Sequence, residues 1–255
     1  MELGELLTEL RENILHDRSD RITGSSDYLW SDATLIRYID EAQRRLARVG
    51  LVIRDGTTPE VTEVALQTGV TEYNLHSSVL AVTSAKLAGD RADLTRTTHA
   101  ALNGYQEPDP PFFNPDAYPD ATPGKPLAFT TDEYMVESDE GSMEATALRV
   151  WPAPSADYNG QNLKLRVVRL PINRLTGDDL CAVPEIPEMH HMEMLDWAAY
   201  LALRIVDLDA GAPDRAETFR QTFTMHAMAA RKATLRKLSR RMYFNHGQNG
   251  FTWSR

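Results

Sequence analysis

The sequence predicts an α+β protein. A helical bundle is drawn from both ends of the chain, an antiparallel β-rich domain is inserted between them, and an extended C-terminal arm follows. Three observations predict it. Apolar residues recur at helical spacing near 2–15, 32–49, 188–207 and 213–238. Between about Pro59 and Cys181 the period falls to two. Beyond Ser239 the periodicity dissolves into a basic, aromatic stretch, RRMYFNHGQNGFTWSR. The expected boundaries are 1–58 plus 184–238 for the helical body, 59–183 for the β-rich insert, and 239–255 for the arm.

The first helix rests on Leu3, Leu6, Leu7, Leu10 and Ile14, and it ends near His16, where a polar loop begins. The second has a marked start. Ser31 is suited to accept a hydrogen bond from a free N–H of the first turn, and Asp32 suits the helix dipole. Trp30 before the cap and Leu35 at the fourth helical position have the spacing of a hydrophobic staple. Leu35, Ile39, Ala42, Leu46 and Val49 form the buried stripe, and Gly50 is the expected stop. Asp40–Arg44 and Glu41–Arg45 are surface pairs in the favourable i,i+4 order.

In the middle, Val64 and Leu66 alternate with Glu63 and Gln67, and Leu148 and Val150 flank Arg149. Leu163, Leu165 and Val167 alternate with Lys164 and Arg166. These patterns predict half-buried antiparallel strands. The loop 152–161 carries the turn formers that join two of them. Seven prolines between 107 and 126 exclude a central strand or a helix interior, which leaves a long exposed loop.

Helices return near Pro187. Met192, Leu195, Ala199, Leu203 and Val206 make one stripe; Trp197, Leu201, Ile205 and Leu208 make a second, so this helix should be packed on both sides. Pro213 is a favourable first residue for the last helix, which carries Phe219, Phe223, Ala227, Ala230 and Thr234 on one face. The residues expected in the helical core or in subunit contacts are Trp30, Leu35, Ile39, Leu46, Trp197, Leu201, Phe219 and Phe223.

Composition excludes several classes. Apolar content of 42% and charged content of 25% are ordinary for a globular protein. The lone Cys181 rules out an internal disulfide and any multi-cysteine zinc site. Glu2, Glu5, Glu9 and Glu12 among the first leucines argue against a signal peptide. No run approaches the roughly 18 uncharged apolar residues of a membrane helix, so no membrane partner is expected. The chain has no GxGxxG, GxxxxGK[ST] or GxSxG motif. In EMHHME (188–193), His190 and Glu193 stand at i,i+3, but zinc needs three or four converging ligands and no partner set follows. A polar helix start is the better reading. Neither an enzyme nor a cofactor is expected.

Charge is the informative feature. The net charge is −10, yet Arg231–Arg255 holds seven Lys/Arg and no Asp or Glu. The rest of the chain therefore carries −17. A basic end on an acidic body predicts an interaction tail. Arg240, Arg241, Tyr243, Phe244, Phe251, Trp253 and Arg255 are its candidate docking residues. Burying its four aromatics would not offset the chain entropy of ordering 239–255, so this arm should become ordered only on a partner. Stacking on single-stranded nucleic acid is a rival use of such a segment, which the acidic body opposes.

The order of these motifs resembles the head-to-tail adaptor proteins of tailed bacteriophages. The resemblance runs from the leucine-rich helix through YLWSDATLIRYIDEAQRRL (28–46), VLAVTSAKLAG (79–89) and GKPLAFTT (124–131). It continues in LRVWPAPSADYNGQNLKLRVVRLP (148–171), which resembles the family's Pro-x-Pro hairpin, and in MHHMEMLDWAAYLAL (189–203). It implies a structural virion protein with a helical part and a β-rich part, forming a twelve-copy ring under the portal. Such a ring lengthens the DNA channel and presents a surface to tail or nozzle proteins, with DNA passing through without sequence-specific binding. A C-terminal arm would dock on the portal protein. Another head- or tail-completion ring, or a nucleic-acid-binding module using the basic tail, are the alternatives.

Overall fold

The computed structural model describes residues 1–17, 28–97, 123–136, 142–204 and 213–246. The fold is α+β, in two compact units: Met1–Ile53 with Leu170–Arg255, and Arg54–Arg169. Most of the proline-rich segment 107–126 lies outside the described residues, as do Ile205, Val206 and Leu208 of the expected stripes.

Helix α1 (Leu3–Thr8) opens the first unit with Leu3, Leu6 and Leu7 buried. It then loosens into a π-helical stretch, Glu9–Leu15, that stops at His16 in the left-handed conformation. The wider turn moves the buried stripe. An α-helix would bury Ile14 four residues after Leu10; here Leu15, five residues on, is buried and Ile14 is only half-buried. The same shift turns Arg11 inward. Its guanidinium donates to the Trp30 carbonyl at 3.0 Å and to Asp32 at 2.5 Å, with buried Asp17 at 3.5 Å. Asp17 in turn accepts from the backbone N–H groups of Leu29 and Trp30. This network fixes the entry to the next helix.

Helix α2 (Asp32–Gly50) starts as expected: the Ser31 hydroxyl accepts from the Thr34 N–H at 3.3 Å. Ser31→Ala should therefore cost about 1 kcal/mol in chemical denaturation of the full chain. Trp30, Leu35, Ile39 and Leu46 are all buried. Gly50 is the last helical residue, and Leu51, not the glycine, takes the left-handed turn. Gly50 serves close approach instead. A Cβ there would lie 3.1 Å from Val52 Cγ1 and 3.5 Å from both the Ala227 carbonyl and Ala230 Cβ.

The stretch 170–183 belongs with the helices, so the division falls at 53/54 and 169/170 rather than at 58/59 and 183/184. Its attachments are hydrogen bonds made by its own backbone groups, which no side-chain period reports. Leu3 N–H donates to the Ala182 carbonyl and Gly4 N–H to that of Leu180. Asp40, expected on the surface beside Arg44, is buried and accepts from the Leu175 N–H at 3.0 Å. Gln43 Oε1 accepts from the Glu185 N–H at 2.7 Å.

A 3-10 turn (Glu188–His190) leads into α4 (His191–Leu203); the short α3 (Pro59–Thr62) belongs to the other unit. Met194, Leu195, Ala198, Ala199, Leu201 and Ala202 are buried, whereas Met192 points to solvent. Buried side chains thus surround much of α4, as its two apolar stripes predict. Helix α5 runs from Pro213 to His246 without a break. Ser239–His246 was expected to be the start of a separate arm and is helical. Extending an existing helix avoids the nucleation cost that an isolated segment faces, and the Lys/Arg residues of its last turns suit the dipole.

Among the described residues, the second unit holds two four-stranded sheets. In the first, β8 (Asn162–Arg169) is central. It pairs with β4 (Val79–Leu87) along one edge; β1 (Arg54–Asp55) and β2 (Glu63–Ala65) share the other. The helical turn α3 (Pro59–Thr62) separates those two. In the second sheet the order is β3 (Glu72–Asn74), β7 (Ser142–Trp151), β6 (Ala128–Val136) and β5 (Thr95–Arg96). Every pair in the two sheets is antiparallel except β5–β6, which is parallel. The strands flanking 152–161 were expected to form a hairpin, but β7 and β8 lie in different sheets and this loop carries the chain from one to the other. Period-two patterning says that a strand has an inner face; it does not say which strand lies beside it. β4 packs across β6 and β7, and Leu80, Val82, Phe129, Leu148 and Leu165 are among the buried residues of this unit.

Candidate functional site

The polar groups of the 188–193 cluster are engaged locally. His190 Nδ1 bonds Glu193 Oε2 at 2.5 Å within one helical turn. His191 is buried, with Nε2 at 3.0 Å from the Ile186 carbonyl, so Nε2–H donates there, and burial pushes its pKa down. No group of three His, Cys, Asp or Glu among the described residues is placed to hold a metal. Cys181 is exposed, and the charge of Glu2, with that of Asp179 nearby, pushes its thiol up, away from the reactive thiolate. The recess of about 270 Å³ beside Gln43 and Glu185 is smaller than a typical ligand pocket, and Glu185 Oε1 is already engaged by the Ile172 and Asn173 N–H groups.

Of the expected core residues, Trp30, Leu35, Ile39, Leu46, Leu201 and Phe223 are buried within the chain, while Trp197 and Phe219 are half-buried. Trp197 ties three helices together. Its ring lies 5.0 Å from Phe223 of α5 and 4.9 Å from Tyr200, with the Arg45 guanidinium of α2 4.8 Å from its centre.

Helix α5 carries the most distinctive surface of this unit. Its buried face, Ala216, Phe223, Ala227, Ala230 and Thr234, ends at Thr234 among the described side chains. On the outer side Met225, Met228 and Leu235 are 62%, 48% and 46% exposed. They recur at three- and four-residue spacing with Lys232, and a shallow groove there is lined by Met228, Arg231, Lys232, Leu235 and Arg236. The amino acid pattern held this second stripe in view, but two methionines and a leucine among basic residues read as background until their exposure is known. Arg240, Arg241, Tyr243 and Phe244 lie on the final turns of the same helix. Phe251, Trp253 and Arg255 lie outside the described residues.

Two further residues escaped the sequence. Arg11 gave no signal, because its role depends on the π-helical turn. Asp55 did give one: the run DGTTP (55–59) is a turn in which an aspartate can accept from the residues that follow it.

What the helical unit offers is surface: an amphipathic helix, solvent-facing apolar side chains and segregated charge. That is the equipment of an assembly component. The family model for the SU10 adaptor protein matches residues 1–248, and the chain belongs to that family, a phage head-to-tail adaptor family. It is a structural adaptor of a bacteriophage. No curated protein matches it.

Proposed function

We propose that this chain forms a twelve-copy ring beneath the portal, extends the DNA channel and joins the head to tail or nozzle proteins, without catalysis or a cofactor. Membership of the SU10 adaptor family, covering residues 1–248, carries the reading. The build of α5 supports the docking part. Beyond Thr234 the helix continues for twelve residues, about 18 Å of rise, and includes Arg236, Lys237, Arg240 and Arg241. A basic helical extension of this kind suits a docking arm. Arg240, Arg241, Tyr243 and Phe244, followed by Phe251, Trp253 and Arg255, are its contacts to the portal protein.

The charge of the remaining chain suits a channel. A body bearing −17 per copy repels the phosphate backbone, so DNA slides through without being held in sequence-specific contacts. Imaging of the intact particle tests the reading. The expected density is a single ring of twelve copies, coaxial with the portal and directly below it. A ring of other multiplicity, or one placed elsewhere along the tail, would assign the chain to another head- or tail-completion position.

A further inference from the structure

The helical unit carries two different surfaces, and they are chemically complementary. Helices α2 and α4 pack together, and both α1 and α5 pack on that pair. The buried face of α5 extends from Ala216 to Thr234, about 27 Å, longer than the roughly 20 Å of α4. Helix α1 makes no extensive contact with α5, and the Arg215 guanidinium at the start of α5 donates to the Ile14 carbonyl of the π-helical stretch. The two helices therefore take different faces of the α2–α4 pair.

The α5 side is basic and apolar. Met225, Met228 and Leu235 stand out to solvent among Arg231, Lys232 and Arg236, and no acidic residue occurs in the helix after Glu217. The α1 side is acidic and apolar. Leu175–Leu203 contains no Lys or Arg, and Asp178, Asp179 and Glu188 are exposed there. Beside them Leu180, Val183 and Met189 are 47%, 58% and 77% exposed. Glu2 and Glu5 of α1 add to the same charge, since α1 bonds directly to the 180–182 backbone.

We infer that the outer face of α5 in one copy of this chain docks on the α1 and 178–189 face of the next copy. The inference rests on the ring reading and names the surfaces that would form it. Two different patches on one body make a head-to-tail contact, the type that generates a ring when its rotation closes. A self-complementary dimer would need one patch to match itself, and here each patch would face its own charge. The exposed methionines and leucines supply the apolar contact, and the opposite charges set the register.

The native Cys181 lies within the acidic face and is exposed, which allows a direct test. Met225→Cys, Met228→Cys and Leu235→Cys are introduced one at a time into the otherwise unchanged chain. Assembled particles and concentrated protein are then treated with a short bismaleimide. A head-to-tail contact gives a ladder of dimer, trimer and larger species on a denaturing gel. Placing the new cysteine in a Cys181→Ser background stops the ladder. Lys232→Glu with Arg236→Glu lowers trimer and larger species roughly tenfold, and adding Asp178→Lys with Glu188→Lys restores them. Products no larger than dimers from all three positions overturn the pairing of faces. So does a ladder that disappears on nuclease treatment, which would assign the α5 stripe to nucleic acid. If imaging shows the ring while no ladder forms, the pairing alone fails; if no ring is present, the ring reading fails with it.

Discussion

Removing residues 239–255 is expected to leave a folded protein that no longer enters portal-containing particles. Among the described side chains, the buried face of α5 ends at Thr234, so the truncation spares the contacts of α5 with α2 and α4. Stability should change by less than about 1 kcal/mol, the range of surface alterations. Incorporation should collapse. The deleted segment contains Tyr243, Phe244, Phe251 and Trp253 together with three arginines, residue types that dominate binding energy at interfaces. Losing a single anchor worth about 2 kcal/mol lowers affinity roughly 30-fold, and four are lost together. Particle-bound copies are counted against total protein, with circular dichroism as the control for folding. Wild-type incorporation of a well-folded truncation would remove the arm from the docking proposal. Because Ser239–His246 continues α5, a second truncation after His246 separates the helical part of the arm from the rest.

Asp55→Ala is expected to destabilise the β-rich unit by about 3–5 kcal/mol, the cost of breaking a buried ion pair from one side. The Asp55 carboxylate accepts from the Thr57 N–H at 2.9 Å, the Thr58 N–H at 3.1 Å, the Thr58 hydroxyl at 2.6 Å and the Arg169 guanidinium at 2.7 Å. Residue Arg169 is itself buried, at the end of the central strand β8. The substitution therefore loosens the 55–58 turn and takes a carboxylate from a buried cation. Burial alone would push the Asp55 pKa up. The hydrogen bonds from Thr58, Thr57 and Arg169 outweigh it and hold the group well below the usual carboxylate range. The sign of the pH dependence follows. A depressed native pKa contributes stability that is complete above the unfolded value of about 3.9 and is lost as pH falls toward the native one. Chemical denaturation from pH 7 down to pH 3 should show wild type losing part of its advantage over Asp55→Ala in the acid limb. An undiminished difference across that range, or none at pH 7, would contradict this account.

Helix positions were legible because each depends on its own segment. Ser31 caps α2 through the N–H of Thr34, three residues away, and Leu35, Ile39 and Leu46 line one face by the geometry of 3.6 residues per turn. Leu163, Leu165 and Val167 point inward by the period of two. Where the sequence misled, a distant partner decided. Asp40 turns inward because the Leu175 N–H, 135 positions away, needs an acceptor. The Leu10–Leu15 spacing reflects a π-helical stretch that also turns Arg11 toward Trp30 and Asp32. The strands flanking 152–161 belong to two sheets because each finds its neighbours among strands far along the chain.

The sequence by itself determined the alternation of helical and extended segments, the start of α2, the inner faces of the strands, and a basic end on an acidic body. These are properties of local periodicity, capping and composition, and they need no neighbour to be defined. Only the tertiary structure decided that 170–183 joins the helical unit and that β7 and β8 lie in separate sheets. It also decided that the basic segment continues α5 as far as His246, and that Met225, Met228 and Leu235 face solvent. Each depends on which surfaces meet, and burial and hydrogen bonding between remote segments settle that where local pattern does not.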